Sequence, residues 1–204
     1  RLGASALMQG LADGYFVLPY TISTYLSKEI NSDMVSTEDS AFDSTLKESE
    51  ETIEKLLSNQ GNRTVESLHK ELGLIMWNNC GMSRNQEDLD KALKEVDELK
   101  KTFWSDVKVP GKSDSINKEL EKAWRVSDFI ELGEVMMHDA SDRKESCGAH
   151  FREEYQTDDG EALRNDEEYN YVSSWEYAGE NVPPTLHKEI LNFETVTPTQ
   201  RSYK

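Results

Sequence analysis

Between Thr45 and Arg143 apolar residues recur every three or four positions, and short breaker sequences divide that run into three. A helix of 3.6 residues per turn gathers such residues on one face, which must find a partner to be buried. The middle stretch is the plainest: Ser83 opens it, and Leu89, Leu93, Val96, Leu99 and Phe103 form one stripe. The first stretch is itself split. Its opening part, 45–59, carries Leu46, Ile53, Leu56 and Leu57 and ends near Gly61; Thr64 then caps a continuation with Val65, Leu68, Leu72, Ile75 and Met76, stopped by Gly81. Pro110-Gly111 break the chain before a third helix, from about Asp114 to Arg143, with Ile116, Leu120, Ala123, Ile130 and Met137 facing inward. Three amphipathic helices joined by short turns predict a mainly α fold centred on an antiparallel three-helix bundle, spectrin-repeat-like in outline.

The flanks differ. Residues 4–29 also read as helical, through Leu7, Leu11, Tyr15, Leu18, Ile22 and Leu26, with Pro19 expected to kink or divide that helix. The stretch 31–44 is rich in Ser, Asp, Glu and Thr and poor in apolar groups, so it reads as an acidic linker between domains. Residues 145–204 form an irregular tail. Within it Tyr169 to Tyr177 is aromatic and β-branched, and Leu186 to Val196 follows Pro183-Pro184 as its partner strand in a β-hairpin.

Charge narrows the function. Lys and Arg total 23 against 40 Asp and Glu, a net charge of −17. Such a surface repels phosphate backbones and anionic headgroups, which argues against nucleic-acid binding and direct membrane insertion. The longest apolar runs fall short of a membrane span. Cys80 and Cys147 form no C-x-x-C pair and are expected to be reduced.

Few side chains combine into chemistry. Arg1 stands among small residues, where a guanidinium can hold a planar carboxylate through two parallel hydrogen bonds. Gly3, Ala4 and Ser5 would let backbone N–H groups at a helix start face an anion or a flavin ring. Glu66-x-x-His69 has the i, i+3 spacing of a carboxylate-bridged metal site, but a dinuclear bundle site needs a second such pair and the sequence has none. Glu134 and His138 can share a helix face as a solvated pair, and His187 sits in the second strand with no evident partner. Ser146 and Cys147 lie near His150 without the third group and oxyanion donors a nucleophile requires. The acidic clusters at 48–51 and 158–161 lack the alternating ligands of a calcium loop. Trp104, Trp124 and Trp175 read as core or interface anchors. No metal site and no catalytic residue is expected in this chain.

Arg1-Leu2-Gly3, followed by small residues and Leu7, resembles the end of the active-site motif of succinate dehydrogenase and fumarate reductase flavoprotein subunits. The likeness continues in Ala140-Ser141-Asp142-Arg143-Lys144-Glu145-Ser146-Cys147-Gly148-Ala149-His150-Phe151-Arg152, in Leu72 to Asn85, and in the closing Gln200-Arg201-Ser202-Tyr203. The resemblance implies that Arg1 binds a carboxylate of the dicarboxylate substrate, and that Ala6 and Leu7 contact an FAD cofactor through their backbone. It implies succinate–fumarate interconversion, with electrons passing to an iron–sulfur subunit and a membrane anchor cytochrome b subunit. The protein would then be cytoplasmic and peripheral on the inner membrane through those partners.

On that resemblance, 1–30 ends an FAD-binding domain, 31–44 links it to a helical domain at 45–144, and 145–204 is the tail. The family's Gly-rich dinucleotide loop, flavin-linking histidine and proton-donating arginine are absent, and Cys147 stands where many relatives carry arginine. The chain is therefore expected to be a carboxy-terminal portion, inactive alone. L-aspartate oxidase, which shares the arginine motif and the bundle, is the nearer alternative; a non-enzymatic helical interaction module is the other. The long tail after His150 favours the dehydrogenase.

Overall fold

The computed structural model describes residues 4–179 and 182–199. They fall into two compact units that divide between Glu51 and Thr52.

In the first unit the chain is helical from residue 4 to 28, though not regularly so. Helix α1 (Ala4–Ala12) runs into a wide π-turn at Asp13–Val17, then α2 (Leu18–Tyr20), a second π-turn at Thr21–Tyr25 and a 3₁₀ turn at Leu26–Lys28. The Leu18 N–H donates to the Asp13 carbonyl, five residues back. Pro19 has no N–H and its ring crowds the carbonyl four residues earlier, so the widened turns replace the kink expected there. The apolar side chains that carry the helical spacing (Leu7, Leu11, Tyr15, Leu18, Ile22 and Leu26) are all exposed.

Helix α3 (Ser40–Ser58) begins inside the acidic stretch expected to be a linker as far as Ser44. The Asp39 carboxylate accepts the Ala41 N–H at 2.9 Å and so supplies a cap that low hydropathy does not reveal. The unit boundary crosses this helix between Glu51 and Thr52.

The second unit holds the bundle: α4 (Val65–Asn79), α5 (Gln86–Asp106) and α6 (Lys118–Asp142), with the end of α3 adding Leu56. Each start is set by one polar side chain. Thr64 accepts the Ser67 N–H, Asn85 accepts the Asp88 N–H, and Asn117 accepts those of Glu119 and Leu120. The predicted stripes meet as expected: Val65, Leu68, Leu72 and Ile75 pack with Leu89, Val96, Leu99 and Phe103, and with Ala123, Ile130 and Met137. Burying each large side chain contributes about 2 kcal/mol. Ile116 is a correction. Because Asn117 caps α6, Ile116 falls in the preceding loop and is 96% exposed. Leu46 also lies outside the core, exposed on α3.

Two small sheets complete the fold. Strands β1 (Arg63–Thr64) and β2 (Val107–Lys108) pair in parallel, a ladder no sequence signal announced. In the tail, after the short helix α7 (Asp166–Tyr169), β3 (Tyr171–Glu176) and β4 (Thr185–Ile190) form the expected antiparallel hairpin, with Tyr171 opposite Ile190 and Trp175 opposite Leu186. Its second strand ends at Ile190 and not at Val196.

Candidate functional site

Arg1, the expected carboxylate clamp, lies outside the described residues. Ala6 and Leu7 lie in the first turn of α1, with Leu7 68% exposed. The first N–H groups of a helix have no acceptor within it. Of the two, Ala6 therefore offers a backbone donor, with Leu7 beside it as an exposed apolar side chain, an arrangement suited to the polar edge of a planar ring. The residues present fit that part of a flavin site; the loop that would hold its diphosphate is not among them.

A densely bonded polar centre lies elsewhere, where the end of α6, the start of α5 and residues 143–154 meet. Arg152 is 1% exposed. Its Nη1 donates to the Ala140 carbonyl at 2.8 Å, its Nη2 to Gln86 Oε1 at 2.9 Å and its Nε to Glu154 Oε2 at 3.2 Å. Ala140 belongs to the last turn of α6, whose carbonyls lack intrahelical donors, so the guanidinium satisfies a helix end and faces the negative pole of its dipole. Glu154 does the converse, accepting the N–H of Gln86 in the first turn of α5. Burial works against the charged carboxylate, but the Gln86 N–H and the Arg152 guanidinium outweigh it and hold Glu154 below the usual carboxylate range. One arginine–glutamate pair thus joins two helix ends of opposite polarity.

Ser146, fully buried, locks the loop: its Oγ accepts the Arg152 N–H at 2.8 Å and donates to the Arg152 carbonyl at 3.1 Å. Glu145, 2% exposed, accepts from Arg143 Nε at 2.9 Å and from the Asn165 N–H at 2.8 Å. Arg143 continues to the Tyr169 carbonyl and faces the Tyr171 ring. The hairpin is tied down by Trp175 Nε1, which donates to Asp139 Oδ1 at 2.8 Å. His150 has both ring nitrogens engaged, by Arg84 and by the Arg143 carbonyl, and burial followed by the Arg84 charge keeps its pKa below the ordinary histidine range. The Cys147 thiol is raised, first by loss of solvent and then by Glu145, which leaves it a poor nucleophile at neutral pH. This centre fixes the loop; it assembles no nucleophile, base and oxyanion donors.

The remaining sequence candidates take structural roles. Glu66 pairs with Lys70 and Lys122, while His69 lies against Phe129. Glu134 turns to Lys100 and not to His138, whose ring lies near Trp175. His187 finds Glu176 across the hairpin at 2.6 Å. Trp104 and Trp124 pack, half-buried, against the core. Sequence reasoning missed Arg152, Glu154 and Gln86 as a unit. The one local hint was an arginine and a glutamate two residues apart just beyond Gly148, and Gln86 lies 66 residues from Arg152.

Residues 69–203 match the family model described as fumarate reductase flavoprotein C-term. Over 203 residues and its whole length, the chain is 26% identical to the succinate dehydrogenase flavoprotein subunit of Bacillus subtilis, covering 33% of it. It is 29% identical over 205 residues to the fumarate reductase flavoprotein subunit of Helicobacter pylori, again along its whole length and covering 27% of that protein. A solved structure of quinol-fumarate reductase with menaquinol molecules shares the fold with a TM-score of 0.69 at 23% identity, over 83% of this chain and 28% of that one. The chain spans a third or less of the length of these relatives. Most of α4, all of α5 and α6, the hairpin and the arginine-knotted loop lie in the matched stretch 69–203, and this chain belongs to the fumarate reductase flavoprotein carboxy-terminal family.

Proposed function

We propose that this chain is the carboxy-terminal part of a succinate dehydrogenase or fumarate reductase flavoprotein subunit and contributes to succinate–fumarate interconversion. The observation that carries the reading is the family match across 69–203, together with alignment of this chain, along its own whole length, to a third or less of subunits of that kind. Arg1 holds a substrate carboxylate in two parallel hydrogen bonds and so aligns the reacting carbon, a positioning effect. Ala6 and Leu7 offer first-turn backbone groups and an apolar surface to the cofactor. Bound FAD supplies the hydride acceptor. The bundle supports these residues and does no chemistry itself, so the chain alone is inactive.

In this reading residues 1–30 end the FAD-binding domain, 31–44 join it to the helical domain at 45–144, and 145–204 form the tail. Electrons leave to an iron–sulfur subunit and a membrane-embedded cytochrome b anchor, which hold the subunit at the inner membrane. No helix among the described residues is long and apolar enough to cross a membrane.

The test is anaerobic flavin reduction in the full-length subunit, adding succinate and then L-aspartate. Bleaching by succinate alone, lost in Arg1→Ala with the flavin still bound, is the expected result. Bleaching by aspartate would move the protein to the oxidase branch, and a subunit without flavin would sink both.

A further inference from the structure

The two ring nitrogens of His150 face partners whose hydrogen-bonding roles are fixed. Nδ1 lies 2.9 Å from Arg84 Nη1, and a guanidinium nitrogen can only donate. Nε2 lies 2.9 Å from the Arg143 carbonyl oxygen, which can only accept. The tautomer is therefore dictated: Nδ1 is bare and Nε2 carries the proton. A second proton can go only onto Nδ1, where it would meet the Arg84 N–H head on. Protonation of His150 and its bond to Arg84 exclude one another.

Arg84 ties two segments together. Its N–H donates to the Phe151 carbonyl at 3.1 Å, and its own carbonyl accepts the Glu153 N–H at 2.8 Å. These bonds join the turn before α5 to the stretch after His150. On the other side, His150 and Cys147 exchange backbone hydrogen bonds of 2.8 and 3.1 Å around Gly148, whose φ of 61° suits glycine. The ring is the pin between the approach to α5 and the loop that leaves α6.

The charges around the ring leave no place for another cation. Arg84 faces it from the turn before α5, Arg143 from the end of α6 and Arg152 from its own loop. The acids on these segments are committed elsewhere: Asp139 to Trp175, Asp142 to Tyr171 and Lys188, Glu145 to Arg143 and Asn165, Glu153 to Ser83 and Asn85, Glu154 to Gln86 and Arg152.

We infer that His150 is a proton-operated latch. Neutral, it holds Arg84 against the loop; on gaining a proton it releases Arg84, and the bonds that Arg84 and His150 make with Phe151, Glu153 and Cys147 open while the Arg152 knot and the bundle core stay folded. The fold favours the neutral ring, so the latch is shut above the ordinary histidine value of about 6.5 and opens as pH falls through the lowered native value. This device is independent of the enzymatic reading above.

The test is nuclear magnetic resonance on the full chain, following the His150 ring nitrogens and amide exchange from about pH 7.5 down to about pH 5. The expected ring is the Nε2–H tautomer, titrating below the ordinary range. After correction for intrinsic exchange, the amides of Arg84, Cys147 and Glu153 should lose roughly tenfold or more of their protection relative to Leu99 in the α5 interior. In His150→Asn, which does not titrate here, that pH-dependent step should vanish. An Nδ1–H tautomer would overturn the latch, as would a ring that titrates while the three amides stay protected, or the same step surviving in the variant. Should the variant fail to fold, the ring and amide titrations of the unaltered chain decide the matter alone.

Discussion

Gly61 lies flat against the backbone of Asp106: a Cβ on Gly61 would stand 2.0 Å from the Asp106 carbonyl oxygen. The close approach lets Asn62 N–H reach Asp106 Oδ1 at 2.8 Å and brings Arg63 beside Val107 in the two-residue parallel ladder. Backbone atoms cannot move aside as a side chain would. Gly61→Ala should therefore cost about 3 kcal/mol by forcing the turn off α5. Urea unfolding of the full chain measures this, and a loss below about 0.5 kcal/mol would contradict the packing.

Arg152 should resist conservative replacement. Lysine keeps the charge but cannot reach the Ala140 carbonyl, Gln86 and Glu154 together, because it has one nitrogen where arginine has three. Arg152→Lys and Arg152→Met should each cost about 3 kcal/mol or more by leaving buried groups unpaired. Full stability in Arg152→Lys, measured by chemical denaturation, would show that charge alone suffices.

Lys100 predicts an alkaline dependence. Its ammonium lies 2.9 Å from Glu131 and 3.2 Å from Glu134, with 13% of the side chain exposed. Burial opposes the charge, but the two carboxylates outweigh it and raise the pKa above the ordinary lysine range. A raised folded-state pKa means that the stabilisation is fully present below the unfolded value of about 10.4 and is lost as pH rises through the folded one. Lys100→Met should cost about 1 kcal/mol near neutral pH and remove that alkaline loss. Denaturant titrations from about pH 7 to 11 decide it, and an unchanged slope in the variant would count against the pair.

The two cysteines should alkylate differently, both late. Burial raises the Cys80 thiol, and loss of solvent with Glu145 raises Cys147, so both are protonated at neutral pH. Iodoacetamide should modify exposed Cys147 more slowly than a free thiol near neutral pH, with the rate still climbing above about pH 8.5. Buried Cys80 should react only on unfolding. Rapid labelling of Cys147 at neutral pH, read by mass spectrometry, would mean its thiol is activated.

The bundle was legible because its information is local. Leu89, Val96, Leu99 and Phe103 are buried together as their spacing demanded, and the Tyr169 to Tyr177 run supplies a strand where its residue types pointed. Ile116 misled because it continues the apolar period of α6 across a cap, and Asn117 stops the helix one residue after it. The exposure of Leu7, Leu11 and their neighbours departs from a period that asks for a partner surface.

Helix period, breakers and caps act over a few residues, so the sequence by itself determined the bundle helices, their order and the hairpin. The arginine knot was decided only in the tertiary structure. Read alone, Arg152 looks like one more solvated arginine in an acidic tail. Its burial depends on the Ala140 carbonyl at one helix end and on the Gln86 side-chain oxygen at another, 66 residues away. The same holds for Gly61 against Asp106 and for the tautomer of His150. Each is set by backbone groups and guanidinium nitrogens that only folding brings within hydrogen-bonding distance.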